Sequence, residues 1–125
     1  MIDEAAKGDA ERLKQIGARI GLSFPPSSRL QFTNDERGLD DAVRVKVTMT
    51  ASDYEGFIAS SPLSGAPLAL EKRFFLGKNQ GAWDPEAPKE LPTGQVRLPN
   101  ASVLNLGVDR SGGGQVVVFV FWHET

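Results

Sequence analysis

Few residues in this chain have types that could carry out chemistry, and the single histidine is the first of them. His123 stands between Trp122 and Glu124, and an imidazole that titrates near neutral pH is a natural general base. A base needs a nucleophile to activate or a carboxylate to orient it, and Asp109 and Asp84 are the carboxylates that could serve. The chain has no cysteine and no Gly-x-Ser-x-Gly turn to present a serine. As a metal set, His123 with Glu124, Asp109 and Asp84 lacks the i, i+4 helical spacing that turns ligands to one side. A strand-end position is therefore the favoured reading of His123, and neither a metal nor a cofactor is expected. Asp40-Asp41 would make a carboxylate pair, but adjacent strand residues point to opposite faces, so a turn whose Asp caps local amides is preferred. Ser111-Gly112-Gly113-Gly114 could cradle a phosphate with its amides, yet it lacks the lysine and helix of a phosphate-binding loop and reads as a hairpin turn.

The better functional candidate is a loop. Gly77 to Thr93 has no regular period, and its 17 residues include three prolines and two glycines, which exclude a long helix or a central strand. Trp83-Asp84-Pro85 lies near its middle. A tryptophan in a polar loop is the kind of rigid aromatic that binding surfaces use, and it is also what orders such a loop when it tucks back onto the core. The structural role is put slightly ahead. For the binding role the candidate partner-contacting residues are Lys78, Asn79, Trp83, Asp84 and, on the turn before Gly112, Arg110.

The elements that must position these residues are led by Gln115 to His123. Its seven consecutive β-branched or aromatic residues, Val116 to Trp122, follow a glycine breaker and read as a strand buried on both faces at the centre of a sheet. Ser102 to Asp109 should pair with it antiparallel, and Gln95 to Leu98 is a short edge-like strand. Asp3 to Ile20 is an amphipathic helix with Ala6, Ala10, Leu13, Gly17 and Ile20 on its stripe, an acidic start and a stop at Gly21. It is assigned to one face of the central strand. Arg29 to Thr33 and Ala42 to Thr50 form a hairpin with a long loop, and the alternation of the second strand leaves Arg44, Lys46, Thr48 and Thr50 on a wet face. Ser52 with Glu55 suggests a capping box for a short helix ending near Ser60. Pro62, Gly65 and Pro67 break the next stretch, after which a strand is expected at Arg73 to Leu76.

Composition bounds the rest. At 125 residues one globular domain, 1–125, is expected, with a core that needs no disulfide. With 14 Lys and Arg against 16 Asp and Glu the net charge is −2, and no basic run marks a nucleic-acid or anionic-lipid partner. No stretch is apolar for long enough to span a membrane. Met1 directly precedes a helical pattern already under way, as in a chain trimmed of an upstream signal or anchor.

Four short pieces resemble uncharacterised small bacterial proteins: Leu22-Ser23-Phe24-Pro25-Pro26-Ser27-Ser28-Arg29-Leu30, Asp40-Asp41-Ala42, Phe57-Ile58 and Trp122-His123. Proteins of this look occur as exported or membrane-anchored domains, and their size is similar to that of immunity proteins, which bind and block a toxin. The resemblance implies an exported or cell-envelope location, favoured over the cytoplasm, and assigns no functional residues. The expectation is an α+β domain, an N-terminal helix packed on a mainly antiparallel sheet with a second short helix. Its expected function is non-enzymatic protein binding, immunity-like or in the envelope. The alternative is a small ligand-binding domain or hydrolase-like enzyme using His123 and a carboxylate. A purely accessory domain would show an open sheet edge or an extended apolar patch.

Overall fold

In the computed structural model the described residues are 4–38, 40–64, 68 and 71–124, with residues 4–7 described in their backbone only. Asp3, the side chains of Glu4 and Ala6, and the expected breaks at Gly65 and Pro67 lie outside them.

Among the described residues five strands form one antiparallel sheet in the order β1-β2-β5-β4-β3. They are β1 (Arg29–Glu36), β2 (Ala42–Thr50), β3 (Thr93–Leu98), β4 (Ser102–Asp109) and β5 (Gln115–Glu124), with helices α1 (Glu4–Ile20) and α2 (Ala51–Ala59) and one 3-10 turn, Arg73–Leu76. The fold is α+β, and β5 holds the middle of the sheet, as its unbroken apolar run requires. Val45 faces Val120 across β2–β5, and Leu106 faces Val120 across β4–β5.

Period-2 alternation sorts the side chains onto two faces. On the first, Val43, Val45, Val47 and Met49 join Leu104, Leu106, Val108, Val116, Val118, Val120 and Trp122 in the main core, closed by Leu13, Ile20 and Leu22 and by Tyr54, Phe57 and Leu63. On the second, Phe119 packs under Trp83, Leu76 and Leu91. The sheet is thus covered twice, by helices on one side and by the 3-10 turn and its loop on the other.

Several local details depart from the sequence expectation. α1 runs alongside β1 while its Leu13 and Ile20 share the main core with Val118 and Val120 of β5, and α2 reaches β2 and β5. Ala10 is exposed. β1 continues to Glu36, pairing Asn34 with Arg44, so the hairpin loop is shorter than expected, and its register shifts between Leu30 and Phe32. α2 starts two residues early, with Thr50 as N-cap accepting the Asp53 amide at 3.1 Å. The Thr-x-x-Asp pattern serves as well as Ser-x-x-Glu because only the cap oxygen has to reach the third amide. Arg73 to Leu76 is a 3-10 turn, not a strand, closed by Phe75 N–H to the Lys72 carbonyl and Gly77 N–H to the Phe74 carbonyl.

The face of β2 expected to be wet is largely covered. The Arg44 and Lys46 side chains are only 13% and 17% exposed, and their charged heads lie over the Phe121 and Phe119 rings at 4.4 and 5.4 Å. Long cationic side chains can cover apolar surface in this way while their heads stay hydrated or paired.

Two joints tie the connections between elements together. Ser27 accepts the Thr50 amide through Oγ at 3.1 Å and donates its own amide to Asp53 Oδ2 at 3.4 Å, tying the α1–β1 connection to the start of α2. Arg19 bridges Asp35 and Asp41 at 2.6 and 2.9 Å, with its guanidinium 5.5 Å from the Trp122 ring centroid. These bonds hold the Asp35 carboxyl below its ordinary value.

Tyr54 gives the fold an alkaline limit. It is 2% exposed, and burial pushes its phenol up from 10.0 to about 12. The unfolded chain therefore ionises first. The stability due to neutral Tyr54 is complete below pH 10 and is lost as pH rises to about 12, on the order of 2–3 kcal/mol. Denaturation midpoints measured across that window should fall for the wild type and flatten for Tyr54→Phe; equal slopes would place the titrating group elsewhere.

Candidate functional site

The site is built by one arginine and one tryptophan. Arg73 opens the 3-10 turn, and its guanidinium gathers the carbonyls of the loop that follows: Nη1 donates to Pro85 O at 3.3 Å, Glu86 O at 3.2 Å and Pro88 O, while Nη2 donates to Lys89 O at 2.8 Å. Glu71 closes the network by accepting from Arg73 Nε at 3.0 Å, from its Nη2, and from the Leu91 amide at 3.3 Å. The guanidinium bond holds the Glu71 carboxyl below its ordinary value. A proline-rich loop has few internal amide donors, so its carbonyls need an outside partner, and the planar guanidinium fork supplies several donors at once.

Trp83 fastens the loop to the sheet. Gln80 and Trp83 exchange backbone bonds of 2.6 and 2.9 Å across a turn with Gly81 at φ +58°. That turn aims the indole inward. Trp83 is fully buried, edge-on to Phe119 at 5.4 Å, and its Nε1 donates to the Leu76 carbonyl at 3.0 Å. The ring is therefore part of the second core and offers no surface to a partner. Lys46 anchors the same turn from below, reaching Ala82 O at 3.0 Å and Asp84 Oδ1 at 2.7 Å.

The other candidate residues separate accordingly. Lys78 and Asn79 are exposed on the loop, although Asn79 Oδ1 is engaged by the Glu86 amide at 3.0 Å. Asp84 is held in the ion pair with Lys46. Arg110 sits on the β4–β5 turn over the Tyr54 ring at 4.8 Å, 3.7 Å from Glu55. Two neighbouring clefts share Lys89, Asp109 and Ser111 in their lining; one also takes in Asp84 and the other Arg110.

His123 and Asp109 are not brought together. Asp109 pairs with Val117, so His123 lies six residues further along β5, about 20 Å at strand rise. His123 instead rests against Phe121, at 5.1 Å between centroids, with Nδ1 3.1 Å from the Glu124 carbonyl. Asp41 accepts the Gly38 amide at 3.2 Å, a local turn cap. Asp109 Oδ1 accepts both the amide and the hydroxyl of Ser111, at 2.9 and 2.6 Å, so both donors of Ser111 are already engaged at that turn. Among the described residues no three His, Cys, Asp or Glu side chains gather where a metal could bind, and no helix is long and apolar enough to cross a membrane.

Sequence reasoning missed two residues here, Arg73 and Phe74. Phe74 is 74% exposed, the one large hydrophobic side chain so exposed among the described residues. It stacks edge-on with Phe75 at 4.7 Å, and Lys72 Nζ lies 5.8 Å from the Phe75 centroid. The available signal was the pair Phe74-Phe75 between breaker residues, which alternation alone reads as a strand. No protein-family model, curated protein or solved structure matches this chain.

Proposed function

We propose that the chain is a non-enzymatic protein-binding module whose contact surface is the 72–92 segment, with Phe74 as its anchor. The observation that carries this is the 74% exposure of Phe74 on a backbone fixed on both sides, by the Arg73 carbonyl network and by the burial of Leu76 and Trp83. An aromatic presented on a preorganised loop loses little conformational freedom on binding, and such residues dominate interface energies. Lys72, Lys78 and Asn79 are exposed on the same segment and supply the polar residue types expected at the rim of a contact. An envelope or immunity-like setting rests on the sequence resemblance alone.

The test is capture of binding proteins from cells of the source organism, with wild type, Phe74→Ala and the remote surface control Glu11→Ala compared side by side. Phe74→Ala should unfold like the wild type, because its ring is exposed. It should weaken binding of the captured protein by about 2 kcal/mol, or ~30-fold in Kd. Equal binding by all three proteins would remove Phe74 from the interface, and no specific capture by the wild type would overturn the reading itself.

A further inference from the structure

A groove of about 680 Å³ lies on the helical side of the sheet, away from the 72–92 loop, between α1 and the segment that follows it. Its origin is local. The chain reverses at Gly21, φ +80°, and the amides of Gly21 and Leu22 both return to the Gly17 carbonyl at 2.8 and 3.0 Å. Glycine is required at 17, since a Cβ there would stand 2.2 Å from the Leu22 carbonyl oxygen. Phe24 then stacks on Phe57 of α2 at 5.5 Å, which draws the Phe24-Pro25-Pro26 wall toward α2. Ala10 and Ala18 line the opposite wall and are too short to fill the gap.

Two polar groups mark the groove. Ser28 lines it at 3% exposure, and its Oγ has no hydrogen-bond partner among the described residues. A buried hydroxyl is seldom left so, because it forfeits its hydration without replacement. Lys14 also lines the groove, exposed and without an ion-pair partner among the described residues. An apolar lining with a few polar groups, in a volume between about 300 and 1,000 Å³, is the form of a small-molecule site.

We propose that this groove binds a small apolar monoanion of the fatty-carboxylate class. Its hydrocarbon body lies against Leu13, Phe24 and Pro25, its carboxylate meets Lys14, and the Ser28 hydroxyl turns about its single torsion to a polar atom of the bound molecule. This binding is independent of the Phe74 surface.

The experiment uses anilinonaphthalene sulfonate, an apolar monoanion that fluoresces out of water, with decanoate as competitor and decanol as the uncharged comparison. The wild type should bind the dye, with decanoate displacing it at least ten-fold better than decanol. Lys14→Glu should abolish that preference. Ala18→Trp, at an exposed helix position, should close the groove and remove the signal, whereas Phe74→Ala should leave it unchanged. Ser28→Ala should weaken decanoate binding about three-fold without lowering the melting temperature, since the hydroxyl makes no bond to the described residues. Dye binding unaffected by Ala18→Trp, equal displacement by decanoate and decanol, or a Ser28→Ala protein that melts lower and binds normally would each overturn the proposal.

Discussion

Phe119→Ala is expected to lower the unfolding free energy by about 3–5 kcal/mol, measured by urea denaturation. The ring is 1% exposed at the middle of β5, opposite Gly107 on one side and Lys46 on the other. Its roof is Trp83, with Leu76 and Leu91 beside it. Gly107 matters to the same packing, because a Cβ there would come within 2.7 Å of Leu76 and 3.3 Å of Leu91. The roof therefore sits directly on the sheet, and removing the ring beneath it leaves a cavity that the tied loop cannot collapse to fill. Phe121, on the same face but partly exposed beneath Arg44 and His123, should cost less when truncated. A Phe119→Ala loss below about 1 kcal/mol would mean that the second layer does not pack on the sheet at all.

Which parts of this fold could be read in advance follows from the range of the interactions involved. The central position of β5, its antiparallel partner β4 and the amphipathic α1 follow from periodicity and breakers, all properties of short windows. The misreadings share a different origin. Alternation in β2 was right, yet it could not show that Arg44 and Lys46 would be drawn over Phe121 and Phe119, because those rings lie more than seventy positions away. Arg-Phe-Phe-Leu has the composition of a strand, and it becomes a 3-10 turn in a structure where Arg73 meets carbonyls 12 to 16 residues downstream. Thr50 and Ser52 are equivalent caps by local rules, and the length of β2 selects Thr50. In the 77–93 loop, a tryptophan among prolines favours the inward, loop-fastening role that Trp83 takes. The exposure of Phe74 is not legible in the sequence, since it is a property of the assembled surface.

Trp83→Ala should have a comparable effect, about 3–5 kcal/mol, but a different distribution across the molecule. The substitution removes the roof of Phe119, the Nε1 bond to the Leu76 carbonyl and the inward anchor of the Gln80–Trp83 turn together. Hydrogen exchange should therefore show lost protection at the amides of Gln80 and Trp83 before any loss in β4 and β5, whose own ladder is intact. Trp83→Phe keeps most of the ring contact but leaves the buried Leu76 carbonyl unpaired, an expected cost of about 1–3 kcal/mol. Because Trp83 and Phe119 touch, the double alanine variant should fall short of the summed single losses by about 0.5–3 kcal/mol. Strict additivity would show that the two rings are not packed on each other. If exchange rises in the loop alone and binding through Phe74 disappears with it, the tryptophan acts on the partner surface through the backbone it fastens and not through contact, as its full burial requires.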